Sequence, residues 1–213
     1  MELKNELLTF WQKHYQFQER ELQAFGNVDR AHFVTKEFQD RAYEDTPLPL
    51  LRGKTISQPT TVMIMTSALE LKPGDSVFEV GTGSAYQAAI IGTIIGKTGQ
   101  VYTTEVIPEL IQLAHKNLKK ANINNINVLE EEGSKGIPEK APFDKIIITA
   151  ACRQFPLPLM DQLKEGGIMV GPVGNRHLQQ MTKARKHADG TFSFEIIGPF
   201  LFTPMYGKYG FEI

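Results

Sequence analysis

A single cysteine, Cys152, rules out an intrachain disulfide framework and any metal site built from several thiolates. The five histidines are scattered, and no pair has the HExxH spacing that sets two imidazoles on one helix face, so no metal is expected. No apolar run approaches the ~18 residues that a membrane-crossing helix needs. The opening MELKNELLTFWQKHYQF carries acids and bases inside its apolar pattern, unlike a secretory leader. An excess of one charge is also missing: 23 Lys and Arg stand against 24 Asp and Glu, so no global field gathers polyanions. The basic run at 183–187 (KARKH) reads as a solvated strand edge. These absences lead to the expectation of a reducing, cytoplasmic setting without a membrane or nucleic-acid partner; a monomer is expected as well. Internal repeats and low-complexity segments are lacking as well.

What is present suits one domain. The 213 residues can bury a sizeable core, and one unit over 1–213 is expected, with N-terminal helices and a loop in 1–58 and an α/β core in 59–213. Leu3, Leu7, Leu8, Trp11 and Tyr15 recur at helical spacing, with Trp11 as the apolar anchor. A second helix holds Leu22 and Phe25, and Asp29 is placed to cap a short third one. YEDTPLPLLRGKTISQP reads as an ordered loop anchored by Leu48, Leu50, Leu51 and Ile56. A helix follows over 60–71.

From residue 74 strands and helices alternate. Strands are expected at 76–80, 100–106, NINVLEE, FDKIIITAA and GGIMVGPVG, with helices at 85–95, from Pro108, and in PLPLMDQLK. The tail folds back as an antiparallel hairpin about Asp189-Gly190. This alternation implies an α/β fold with a mostly parallel, doubly wound sheet. Ligands in such sheets sit beyond the carboxyl ends of the strands. That points to residues 79–85, Glu105, Glu132-Gly133 and residues 149–153.

The glycine loop EVGTGSAYQAAI invites two readings that fail. GxGxxG, counted from Gly81 and Gly83, needs a third glycine where Tyr86 stands, and a tyrosine cannot give the close helix–strand approach of a dinucleotide site. IIGKTG lacks the first P-loop glycine, since Ile91 occupies that place, and it follows a helix instead of a strand. What remains is an acid, Glu79, before G-x-G and a helix, and a second acid, Glu105, at the end of the next strand. Glycines let backbone approach a ligand, and Glu105 can accept ribose hydroxyls. No basic residue in the loop neutralises phosphate. A ligand carrying positive charge is favoured, as S-adenosylmethionine does on its sulfonium and ammonium. A purely structural turn with a solvated Glu105 is the other reading.

Across nearly the whole chain the sequence resembles the protein L-isoaspartate (D-aspartate) O-methyltransferases. The resemblance rests on AFGNVDRAHFV, YEDTPLPL, TISQP, VFEVGTGSAYQAA, APFDKIIITAA, LMDQLKEGGIMVGPVG and FTPMYG. It implies the Rossmann-like, S-adenosylmethionine-dependent methyltransferase fold, and damaged proteins bearing L-isoaspartyl (and D-aspartyl) residues as partners, with S-adenosyl-L-homocysteine as product. It makes Ser57 the active-site hydroxyl. It assigns cofactor contacts to Thr55, Ile56, Ser57, Gln58, Glu79, Gly81, Gly83, Glu105, Glu132 and Gly133.

Two motifs depart from the family pattern. Glu131-Glu132-Gly133 stands where GDG is usual, at a cost if the first glycine needed positive φ. Ala85 replaces the last glycine of GTGSGY, and a negative φ there is expected, so that the alanine only trims the pocket. A same-fold methyltransferase for another substrate, an RNA-directed one, and a cofactor binder without repair activity are the competing readings.

Overall fold

The computed structural model describes residues 2–206 and 208–211. Helix α1 (Glu2–His14) buries Leu7 and Trp11, four residues apart on one face. Trp11 is fully buried, edge-on to Phe25 of α2 (Glu19–Asn27) at 4.6 Å between ring centres. Asp29 caps a 3-10 turn at Arg30–His32, accepting from the Ala31 N–H at 3.0 Å. A second 3-10 stretch, Lys36–Arg41, was not expected from the sequence.

The proline-rich loop is ordered, as expected, and folds as a small antiparallel ribbon of β1 (Leu48–Pro49) and β2 (Thr55–Ile56). Leu48 and Ile56, paired across it, are both buried. The loop is tied to the first turn of α3 (Pro59–Ala68), where Thr60 donates to Asp45 through its N–H (2.9 Å) and hydroxyl (2.6 Å). The Trp11 indole N–H donates to the same Thr60 oxygen at 2.8 Å. One threonine thus joins α1, the loop and α3.

The remaining elements are β3 (Ser76–Val80), α4 (Tyr86–Ile95), β4 (Gln100–Glu105), α5 (Pro108–Ala121), β5 (Ile126–Glu130), β6 (Phe143–Ile148), α6 (Leu157–Asp161), β7 (Leu163–Gly174), β8 (Gln179–Lys186) and β9 (Phe192–Phe200). They build a seven-stranded sheet in the order β5-β4-β3-β6-β7-β8-β9. The first five strands of that order run parallel, and β8 and β9 pair antiparallel. Side chains alternate between faces, so the strands feed two cores. Val77, Val101, Ile147 and Ile168 pack with Ile90 and Ile91 of α4 on one face. Phe78, Val80, Ile146, Ile148 and Met169 pack with Leu159 of α6 on the other. The chain order reverses between β3 and β6, which opens a crevice at their carboxyl ends.

Three boundaries differ from the sequence reading. The helix α3 stops at Ala68, and Glu70 then turns at φ 52. The helix α6 is shorter, and β7 begins at Leu163, with a register shift against β6 that sets Lys164 to Gly167 opposite Asp144 alone. The basic run lies on β8, and its cations are internal partners. Lys183 and Arg185 bond Glu70 at 2.7 and 2.6 Å, and against the upward push of partial burial they bring its pKa down to about 2. Lys186 donates to the Leu163 carbonyl at 2.8 Å.

Candidate active site

The crevice holds a cavity of about 280 Å³. Its floor is the glycine loop after β3. The N–H groups of Gly81 and Thr82 both donate to the Thr104 carbonyl at 3.0 Å, and Asn117 on α5 donates to the Ser84 carbonyl at 3.1 Å. Gly81 (φ 96) has no room for a side chain, because a Cβ would lie 2.6 Å from the Thr149 hydroxyl. Gly83 (φ 54) is different. A Cβ there would meet nothing within 4 Å, so this backbone faces the open cavity.

Glu105, at the end of β4, closes the loop from the side. Its Oε2 accepts from the Gly83 N–H at 3.0 Å, and its Oε1 accepts from the N–H groups of Val106 (2.9 Å) and Ile107 (3.1 Å). An ionised carboxylate offers about four acceptor positions. At least one remains, on Oε2, open to a ligand hydroxyl.

The expectation for Ala85 is overturned. It precedes α4 in the left-handed region (φ 67, ψ 17) and is fully buried. An L-residue there carries roughly 1–2 kcal/mol of strain, which glycine escapes. The loop retains its glycine conformation under an alanine because Glu105, Thr104 and Asn117 hold it. Ala85→Gly is expected to raise stability by about 1 kcal/mol, the relieved strain less glycine's extra chain entropy. Urea denaturation would read this, and a lower midpoint for the variant would contradict the strain. Glu131 has no such cost, since its φ is not positive.

Of the site residues expected from the sequence, Thr55, Ile56, Ser57, Gly81, Gly83, Glu105, Glu132 and Gly133 line the cavity, and Glu131 joins them. Glu132 is also a cap, accepting from Ser134 through the N–H (2.9 Å) and hydroxyl (2.8 Å). A Cβ on Gly133 would collide with the Thr104 hydroxyl and the Val80 methyls, so this wall follows the strand ends closely.

Two expected positions lie outside the lining. Gln58 is the residue before α3, and its carbonyl accepts from the Val62 N–H at 3.1 Å. Glu79 is fully buried beneath the loop, because its side chain falls on the α4 face of β3 and not at the strand's open end. There the Thr103 hydroxyl donates to it at 2.6 Å, and Thr82 bonds Thr103 at 2.8 Å. Burial first, then the nearby Glu105 charge, pushes the Glu79 pKa up to about 8, so the carboxyl holds its proton at neutral pH. Glu79 therefore supports the loop through Thr103 and Thr82.

Sequence reasoning left several lining residues unassigned. Val106, Ile107 and Leu110 form an apolar wall just past Glu105, and their place directly after a strand acid was the available signal. Thr149, in the stretch after β6 that the strand-end rule had marked, donates to the Gly81 carbonyl at 2.7 Å. Lys54 and residues 203–206 also line the cavity. They approach from distant parts of the chain; FTPMYG carried the family resemblance there without pointing to the cavity. Tyr86, the residue that excludes a dinucleotide site, is buried in the lining with the Arg30 guanidinium 5.1 Å from its ring centre. Cys152 is buried outside it, with burial pushing its thiol up to about 12.

The cavity's charges are uneven. Among the described lining residues Glu105, Glu131 and Glu132 face one cation, Lys54, and no arginine or histidine is present. Open backbone at Gly83, a spare acceptor on Glu105 and an apolar wall suit an adenosyl group, and the carboxylates suit a sulfonium with an ammonium. The residues fit S-adenosylmethionine, and they do not fit a polyphosphate.

Fold and site together define a methyltransferase with a Rossmann-like sheet that uses S-adenosylmethionine. The family model for protein-L-isoaspartate (D-aspartate) O-methyltransferases matches residues 2–210, and the chain belongs to that family. A protein-L-isoaspartate O-methyltransferase of Hyperthermus butylicus is 45% identical over 197 residues, covering 89% of this chain and 82% of the relative. One from Methanococcoides burtonii is 42% identical over 193 residues, covering 91% and 95%. Among solved structures, a protein-L-isoaspartate O-methyltransferase superposes with a TM-score of 0.87 at 25% identity, over 96% of this chain and 66% of that one. A Plasmodium falciparum chain crystallised with S-adenosyl-L-homocysteine gives 0.81 at 21% identity, over 94% and 97%, a likeness of fold.

Proposed function

We propose that this cavity holds S-adenosylmethionine against Glu105 and the Gly81–Gly83 turn, and that Ser57 orients the carboxylate that receives the methyl group. The activity comes with family membership over residues 2–210: S-adenosylmethionine-dependent O-methylation of L-isoaspartyl residues in damaged proteins. The residue roles rest on one observation, that Ser57 and Glu105 line the same cavity although 48 positions separate them in the chain.

When bound, the cofactor supplies an electrophilic methyl on a sulfonium. The chain's own tasks are then binding, orientation and drying. Glu105 takes a ribose hydroxyl on its remaining acceptor position, and Val106, Ile107 and Leu110 cover the base. Glu132 and Gly133 shape the adenine side. Thr55, Ile56 and Ser57 bring the substrate wall over the site, with Ile56 excluding water. No general base is required, because a carboxyl with a pKa near ~4 is already ionised at neutral pH. Holding the reactants in line supplies several kcal/mol of the acceleration. We also read the chain as a monomer acting in a reducing cytoplasm on protein rather than nucleic acid, with residues 1–58 capping a core of 59–213. The balanced charge supports this reading.

Ser57→Ala is expected to lower turnover of an isoaspartyl peptide about 10- to 100-fold, the range of one orienting hydrogen bond. Its affinity for S-adenosylhomocysteine, read by calorimetry, should stay within about twofold. Unchanged turnover would remove Ser57 from the mechanism.

A further inference from the structure

Lys54 is the one cation among the described residues that line the cavity, and its position is informative. The three lining carboxylates stand at the ends of β4 and β5. The Lys54 ammonium lies 4.8 Å over the Tyr206 ring, and Tyr206 belongs to a segment laid beside the end of β6. There Pro204 bridges to Ala151, and the Met205 N–H donates to the Ala151 carbonyl at 2.8 Å. The strand β6 lies two positions from β4 and three from β5 in the sheet, roughly 10 and roughly 14 Å. The cavity is therefore negative at its adenosyl end and positive at the end that carries Ser57, three residues along from Lys54. Lys54 is half-buried, and among the described residues it makes no ion pair. A ring face is a weaker partner for an ammonium than a desolvated carboxylate is.

We propose that Lys54 determines recognition of the substrate's charge: its ammonium passes from the Tyr206 ring to the free carboxylate of the isoaspartyl residue. This rests on the function proposed above. In the transfer, one carboxylate oxygen bonds the methyl carbon while the carbon–sulfur bond breaks and its electron pair stays on sulfur. The negative charge of the carboxylate and the positive charge of the sulfonium vanish together, and no proton moves. A cation beside the carboxylate thus stabilises the bound substrate more than the transition state. Lys54 acts in capture and release. Once the ester forms, the ion pair is gone and the ammonium returns to Tyr206.

The test compares wild type, Lys54→Met and Lys54→Arg with an isoaspartyl peptide and with its α-carboxamide analogue. Lys54→Met should raise KM for the peptide about tenfold, and weaken its binding to the enzyme saturated with S-adenosylhomocysteine by a similar factor. Its kcat should be unchanged or higher, a split that a merely structural lysine would not give. Lys54→Arg should retain the wild-type KM. Affinity for S-adenosylhomocysteine, and for the uncharged carboxamide peptide, should match wild type in both variants. A KM within twofold of wild type for Lys54→Met, or equal weakening for the carboxamide peptide, would overturn the role of Lys54 alone. Failure of the wild-type complex to bind the isoaspartyl peptide would overturn the substrate reading and Lys54 with it.

Discussion

Glu105→Leu is expected to weaken S-adenosylhomocysteine binding by about 100-fold, near 3 kcal/mol. Two losses add. The ligand loses a hydrogen bond to a charged acceptor, worth about 1.5–3 kcal/mol. The Gly83, Val106 and Ile107 N–H groups lose their common acceptor, so the turn that faces the cavity is no longer held. Glu105→Gln keeps one carbonyl acceptor but places an amide donor against backbone N–H groups, so it should fall between wild type and the leucine variant. Calorimetric titration decides the matter. Wild-type affinity in Glu105→Leu would mean that the cofactor sits elsewhere.

Trp11→Ala should destabilise the protein by about 4 kcal/mol, the usual cost of emptying a buried indole site. Trp11 has no solvent exposure, packs on Phe17 and Phe25, and donates to Thr60. Thr60 also holds Asp45 at the base of the loop that carries Ser57. The damage should therefore reach catalysis: the variant should lose activity at temperatures where its sheet is still folded. Phe10, nearly half exposed on the same helix, is the control, and Phe10→Ala should change stability by no more than about 0.5 kcal/mol. Urea titration followed by far-ultraviolet circular dichroism suits both variants, because Trp11 is the only tryptophan and its removal ends the tryptophan emission. A midpoint for Trp11→Ala equal to that of Phe10→Ala would contradict the anchor.

Local chemistry made much of this fold readable. SVFEV is a strand over the very residues expected, Pro108 opens its helix, and Asp189-Gly190 turns the hairpin between β8 and β9. Each depends on neighbours in sequence: apolar alternation, a proline at a first helical turn, a turn dipeptide. The rule that ligands sit beyond strand ends was enough to bring Gly81, Gly83, Glu105, Glu132 and Thr149 to one cavity. It also marked Glu79, which is buried outside the cavity lining, because it says nothing about which face of the strand a side chain occupies.

The residues that escaped were those decided by long-range packing. Ala85 takes a glycine conformation because Thr104, Glu105 and Asn117 hold the loop around it, against alanine's own preference. Lys54 reaches the cavity because a two-residue ribbon turns it inward, and Tyr206 because residues 203–205 follow the end of β6. The basic run on β8 looked like solvated surface, and two of its cations, Lys183 and Arg185, instead gather around Glu70. A left-handed alanine and an unpaired lysine are visible only once the partners around them are known.

Two peptides that differ only in an isoaspartyl or an aspartyl linkage, each offered with methyl-labelled S-adenosylmethionine, give the most direct test. The account predicts a base-labile methyl ester on the isoaspartyl peptide alone, releasing labelled methanol at high pH. Equal labelling of both peptides, or none on either while S-adenosylhomocysteine still binds, would contradict it.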